Sequence, residues 1–148
     1  VNGNIVFAAF SDVGGTKTKV FEVEANGDVE NATGSYDTIS DQRLKQDIVD
    51  ANSQWSDIKA LQIRNFKFIN DVNQNGENAL RHIGVVAQEV ESSGMTGLVK
   101  TKIDEDTGEE IKSVKSSIIY MKAVKALQEA ITRIETLEAE VTALKGGG

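Results

Sequence analysis

Hydrophobic spacing changes twice along the chain. In residues 1–39 apolar positions come in short runs broken by glycine and asparagine. Ile5-Val6-Phe7-Ala8-Ala9-Phe10 is a continuous apolar run, Gly14-Gly15 marks a turn, and Lys17 to Glu24 alternates polar with apolar. That pattern predicts two strands around a turn. Asn26-Gly27-Asp28 supplies a second turn, since Asn-Gly accepts positive φ cheaply, and Asn31 to Ser35 is small and polar. A sheet of this size buries too little to stand alone and suits a fibrous β-structure shared between chains. From residue 41 the pattern becomes mixed. Leu44, Ile48 and Ala51 have helical spacing, with Asp41 placed as cap or first-turn carboxylate. A helical turn starting at Ser53 or Asp57 puts Trp55, Ile58 and Leu61 on one face. Phe66-Lys67-Phe68 reads as a half-buried strand. Ile83 to Ala87 reads as an apolar strand running into a helical turn, Gln88-Glu89-Val90-Glu91, that ends near Gly94. Leu98–Ile103 and Glu110–Val114 flank a charged tip, Asp104 to Gly108, as a hairpin.

The second change comes at residue 117. Up to Lys145 the period is helical and unbroken. Val124, Leu127, Ile131 and Ile134 step by three and four, and Leu137, Val141 and Leu144 resume after a three-residue discontinuity near Ile134. Glu129, Glu135, Glu138 and Glu140, with Lys125 and Arg133, are expected on the outside. A seam this narrow calls for self-association, or alternatively for packing on its own domain, and its mixed Val, Leu and Ile residues do not set the number of helices. The expected fold class is α+β. Residues 1–39 form a β-rich segment, 40–116 a small mixed helix and strand domain, 117–145 a coiled-coil helix, and 146–148 a glycine tail.

Composition narrows the function more than the fold. The formal net charge of −7 opposes a nucleic-acid surface, which needs clustered lysine and arginine, and opposes an anionic membrane. Cysteine is absent, so neither a disulfide framework nor thiolate chemistry arises. No apolar run reaches the roughly 18 residues of a membrane span, and Val1-Asn2-Gly3-Asn4 does not read as a signal peptide. Without an initial methionine, the chain is expected to be an excised piece.

Several loops mimic known sites and fail on spacing. Gly14-Gly15-Thr16-Lys17-Thr18 interposes a threonine between glycine and lysine and leads into a strand, so a hairpin is expected rather than a phosphate loop. Asp71-Val72-Asn73-Gln74-Asn75-Gly76 matches the first half of a calcium loop, but His82 stands where a bidentate glutamate belongs. A polar hairpin turn is expected and no metal. His82 is the single histidine and reads as a packing or hydrogen-bonding residue. The acidic tip reads as a solvated turn. No cofactor is expected.

At the first change of pattern lies Ile39-Ser40-Asp41-Gln42-Arg43-Leu44-Lys45. A serine needs a base to act as nucleophile, and a lysine serves if it is neutral. On a regular helix a five-residue step turns ~500°, which leaves the two side chains about 140° apart. Ser40 and Lys45 therefore meet only if Ser40 lies outside a helix and the chain doubles back. By spacing alone, Ser40-Asp41 is a helix N-cap.

Three ordered motifs add to this reading. Ser40-Asp41-x-x-Leu44-Lys45 followed by Ile48, then Gly84-Val85-Val86-Ala87-Gln88-Glu89-Val90, then Tyr120 to Leu127 with Gln128-Glu129, resemble the C-terminal intramolecular chaperones of phage tail spikes and L-shaped tail fibres. The resemblance covers about residues 36–145. It implies an intertwined homotrimer that helps the upstream fibre segment of its own chain to fold in the host cytoplasm, then frees itself by single-turnover self-cleavage. It places the catalytic pair on Ser40 and Lys45 and the scissile bond between Ile39 and Ser40, with Asp41 and Arg43 as supporting residues. Two other readings stand beside it: a permanent trimerisation or attachment module without proteolysis, and a host-binding tip.

Overall fold

The structure is a computed structural model and describes residues 4–146. The glycine tail beyond Gly146 lies outside the described residues. The chain divides between Ile48 and Val49 into two compact units, each with its own internal contacts.

The first unit is an antiparallel meander. Strand β1 (Ile5–Val13) pairs with β2 (Thr16–Glu24), which pairs with β3 (Val29–Asn31). Gly14 and Gly15 close the first hairpin at φ 64° and 79°, a region open to glycine without a Cβ clash. The phosphate-loop mimic is thus the hairpin turn that its spacing implied. The Phe7 and Phe21 rings meet edge to face at 6.1 Å, yet Ile5, Val6, Phe7 and Phe10 are all more than half exposed. Among the described residues of this unit only Glu22 is buried, and Lys19 covers its carboxylate at 2.5 Å. A sheet with a carboxylate where a core should be has no hydrophobic centre of its own.

The second unit has one. Helix α1 (Trp55–Ala60) leads to β4 (Arg64–Phe66), α2 (Ile69–Asn75), β5 (His82–Gly84) and α3 (Ala87–Ser92). The hairpin β6 (Val99–Ile103) and β7 (Glu110–Val114) and the long helix α4 (Ser116–Gly146) complete it. Strands β4 and β5 pair antiparallel, as do β6 and β7. Val90, Met95 and Leu98 form the core, with Leu61, Val85, Val99, Val114 and Ile119 packed against it. No helix among the described residues is long and apolar enough to cross a membrane.

The motif Gly84 to Val90 earns its residues here. Gly84 lies opposite Arg64 in the β4–β5 pair, and a Cβ on it would come within 3.2 Å of the Phe66 ring. Ala87 and Val90 are the buried residues of α3. Glu89 receives the Arg64 guanidinium on both oxygens, at 2.7–3.0 Å.

Two expectations are corrected. The stretch 41–51 is not a helix: only a 3-10 turn, Gln42–Leu44, forms, and Ile48 stays exposed. An amphipathic spacing without a core to receive it cannot offset the cost of helix nucleation. The stretch 71–76 is not a hairpin turn: residues 71–75 belong to α2 and Gly76 caps its end. Asp71 accepts hydrogen bonds from Asn75 Nδ2 and from the Leu80 amide, both at 2.6 Å.

Helix α4 also departs from expectation. Glu129 and Arg133 are not free decoration. Glu129 accepts from Ser53 Oγ at 2.8 Å and from the Gln54 amide at 2.9 Å, so one helix supplies the cap at the start of another. Arg133 lies 4.1 Å above the Trp55 ring, and Lys122 pairs with Asp57 at 2.6 Å and with Gln54. Ala126, buried, lets α1 approach α4 closely. From Ile131 to Gly146 every residue is exposed.

Two outcomes are expected. Leu98→Ala should lower the unfolding free energy of the second unit by about 2–5 kcal/mol, read by urea titration, because it opens a cavity beside Val90. Glu129 is held below the ordinary glutamate value of 4.5, first by the Gln54 amide and then by the Ser53 hydroxyl. Its stabilisation is therefore complete above about pH 4.5 and is lost as the pH falls through the lower folded value. Glu129→Gln should melt lower than wild type at neutral pH and lose less on acidification; parallel melting curves would contradict the cap.

Candidate functional site

The segment around Ser40 owes its shape to hydrogen bonds rather than to packing. From Ala32 to Ser53 every residue is exposed except Asp41. Asp41 is extended, at φ −63° and ψ 131°, and its carboxylate accepts the Arg43 amide at 2.8 Å, which caps the turn Gln42–Leu44. The Leu44 amide donates to the Asp41 carbonyl and the Lys45 amide to the Gln42 carbonyl, each at 3.1 Å. Lys45 then returns to extended geometry, at φ −127° and ψ 149°. A tight turn between two extended residues reverses the chain, as a five-residue step on a helix does not.

Lys45 Nζ consequently lies 2.6 Å from Ser40 Oγ and donates a hydrogen bond to it. The cap expected of Ser40-Asp41 belongs to Asp41 alone, and the Ser40 hydroxyl is left for the lysine. The distance is within the reach of proton transfer between an amine and a hydroxyl. Both side chains are exposed within one chain.

Arg43 adds a fork to the same carboxylate. Its Nε lies 3.1 Å from both oxygens of Asp41 and its Nη2 2.6 Å from Oδ2. The guanidinium first, and the Arg43 amide second, hold the Asp41 carboxyl below the usual aspartate range. Ile39, on the other side of Ser40, is 84% exposed, so its side chain sits in no pocket within the chain. The amides of Arg43, Leu44 and Lys45 are all engaged in the turn. A donor for an oxyanion has to come from elsewhere.

The other sequence candidates do not form a second centre. His82 stacks on Phe66 at 5.8 Å and meets Phe68 edge to face at 5.0 Å, the packing role expected of it. Among the described residues no group of three or more His, Asp or Glu side chains is placed to hold a metal ion. At the acidic hairpin tip, Asp104 turns inward on the Asp106 and Thr107 amides.

Residues 40–100 match the peptidase family described as "Chaperone of endosialidase", beginning at Ser40 itself. A crystal structure of a novel intramolecular chaperon is 24% identical and superposes with a TM-score of 0.50 over 64% of this chain and 99% of that one. The carboxy-terminal domain of the bacteriophage T5 L-shaped tail fibre, with its intra-molecular chaperone domain, is 13% identical. It covers 89% of this chain and 44% of that one with a TM-score of 0.44. No protein with a curated description matches. Over residues 40–100 the chain is thus similar to the endosialidase-chaperone family, and the intramolecular chaperon shares its fold.

The fork at Asp41 is directly measurable. In a carbon-detected titration of the side-chain carboxyls, Asp41 should titrate below its ordinary value of 3.8 in wild type. In Arg43→Ala it should move up towards that value but stay below it, because the backbone amide at position 43 remains. Identical titrations would show that the pair does not hold in solution.

Proposed function

We propose that residues 1–39 are the end of a phage fibre and that the rest of the chain is its folding tool. The tool gathers three copies in the host cytoplasm, lets the upstream β-structure form between them, and then cuts the chain between Ile39 and Ser40. The observation that carries this reading is the 2.6 Å approach of Lys45 Nζ to Ser40 Oγ in a segment that packs on almost nothing. A loop with no packing role that nonetheless aligns a serine with a lysine is organised for chemistry.

Neutral Lys45 takes the proton of the Ser40 hydroxyl, and Oγ attacks the carbonyl carbon of Ile39. The bond from that carbon to the Ser40 nitrogen breaks, the nitrogen takes a proton back, and an ester joins Ile39 to Oγ. Water then hydrolyses the ester, giving a carboxylate on Ile39 and a free hydroxyl on Ser40. Because nucleophile and scissile bond belong to the same residue, no pocket for the Ile39 side chain is required. A lysine works as a base only when neutral, and burial favours the neutral form. One exposed chain does not supply that burial; neighbouring copies would, which ties cleavage to assembly.

The chaperone logic rests on what one copy leaves uncovered. The stripe Ile131, Ile134, Leu137, Val141 and Leu144 is exposed along α4, and among its described residues the β1–β3 sheet has no buried apolar side chain. Helices paired along that stripe would hold the upstream strands at high effective concentration, which favours slow non-local β pairing. Cutting afterwards removes the tool and leaves the fibre kinetically trapped. Three copies per assembly follow from the resemblance to phage-fibre chaperones, not from the heptads. The same stripe serves equally in a permanent attachment module, the second reading.

Intact mass spectrometry of freshly expressed chain separates the two. A fragment beginning at Ser40 should accumulate in wild type and be lost in Ser40→Ala, with Lys45→Ala slowed by a hundredfold or more, in line with loss of a general base. Full-length chain persisting in folded, trimeric wild type would leave only the permanent module.

A further inference from the structure

The turn that joins Ser40 to Lys45 depends on one side chain. Over the 22 positions from Ala32 to Ser53, Asp41 alone is withdrawn from solvent, its side chain 38% exposed against 87% for Arg43. Leu44, Ile48 and Val49, the apolar residues that follow, are 74%, 62% and 84% exposed, so none anchors the segment. Ordering this loop costs backbone entropy, and holding the lysine side chain in one rotamer costs more. Among the described residues, hydrogen bonds and the ion pair to Arg43 oppose that cost, and Asp41 is the hub. Its Oδ1 accepts the Arg43 amide at 2.8 Å and Arg43 Nε at 3.1 Å, while Oδ2 accepts Nε at 3.1 Å and Nη2 at 2.6 Å. Its carbonyl accepts the Leu44 amide at 3.1 Å.

We propose that Asp41 is the positioning residue for self-cleavage: by capping the turn Gln42–Leu44 it returns Lys45 to the hydroxyl of Ser40. The assignment rests on the cleavage reading above and deepens it. Asp41 does not touch the reacting atoms. It acts on Lys45 through two backbone hydrogen bonds, from the Leu44 amide to Asp41 and from the Lys45 amide to Gln42. The cap contact is the part that matters for geometry, since Asn and Asp serve nearly alike as caps. The fork to Arg43 is secondary, because an exposed ion pair contributes little.

The chemistry gives the two contacts different signatures. Asp41→Asn keeps an oxygen for the Arg43 amide and gives up the charged fork. Asp41→Ala loses both. Arg43→Ala keeps the cap, because its backbone amide is unchanged.

The test uses the full chain and two readouts: the first-order rate of appearance of the fragment starting at Ser40, and amide hydrogen exchange of residues 43–45 in an uncleavable Ser40→Ala background. Asp41→Ala should cleave at least tenfold more slowly than wild type and lose exchange protection at Arg43, Leu44 and Lys45. Asp41→Asn and Arg43→Ala should stay within about threefold of wild type and keep that protection. Asp41→Ala cleaving at the wild-type rate would overturn the proposal while leaving the cleavage reading intact. So would Asp41→Asn cleaving as slowly as Asp41→Ala, since the charge rather than the cap would then be what counts. Wild type that never cleaves would overturn both. If Asp41→Ala does not assemble, Asp41→Asn and Arg43→Ala decide the matter: rates near wild type with protection retained support the cap, and a tenfold loss in either overturns it.

Discussion

One copy of this chain buries too little apolar surface for the length of structure it builds. Among the described residues six hydrophobic side chains are buried, three of them alanines. The Val90–Met95–Leu98 cluster organises one small unit and reaches no further. The three-stranded sheet closes around a paired carboxylate, and the second half of α4 keeps its aliphatic stripe in water. Exposed stripes and coreless sheets are what a chain shows when its missing surface belongs to other copies. On the proposed function, that constraint, more than any single residue, is the reason a folding tool is joined to residues 1–39.

The chemistry inherits the same constraint. Lysine and serine already lie within hydrogen-bonding distance, so geometry is supplied locally by the Asp41-capped turn. What the local structure does not supply is a dry environment and an oxyanion donor. The turn consumes its own amides, and both reacting side chains face solvent. On the proposed function, such a site stays idle in the lone chain until neighbouring copies shield it.

Much of the fold was legible because periodicity reports burial directly. The β1–β2 hairpin, the β6–β7 hairpin and α4 were all visible as period-two or helical spacing bounded by glycine or by charge. Spacing misled where no core received the apolar residues, at Leu44, Ile48 and Ala51. It also misled at 71–76, where a metal-loop mimic hid a helix whose first-turn aspartate binds Asn75 and the Leu80 amide. Glu129 and Arg133 looked like outer decoration because sequence shows which face of a helix is polar, not what packs there. The contact between Ser40 and Lys45 was beyond periodicity for a similar reason. It depends on a reversal set by a side-chain cap, and the capping signal in Ser40-Asp41 did not say which residue would cap. The order of motifs carried more: Gly84, Ala87, Glu89 and Val90 turn out to be a close approach, a buried small residue, an ion pair and the centre of a core.

The aliphatic stripe left in water along α4 calls for further copies of the chain. Sedimentation equilibrium of the uncleavable Ser40→Ala chain at micromolar concentration addresses this without relying on catalysis. A single species of three times the 16.0 kDa of one chain is expected. A folded species that remains at the mass of one chain across that range would contradict it.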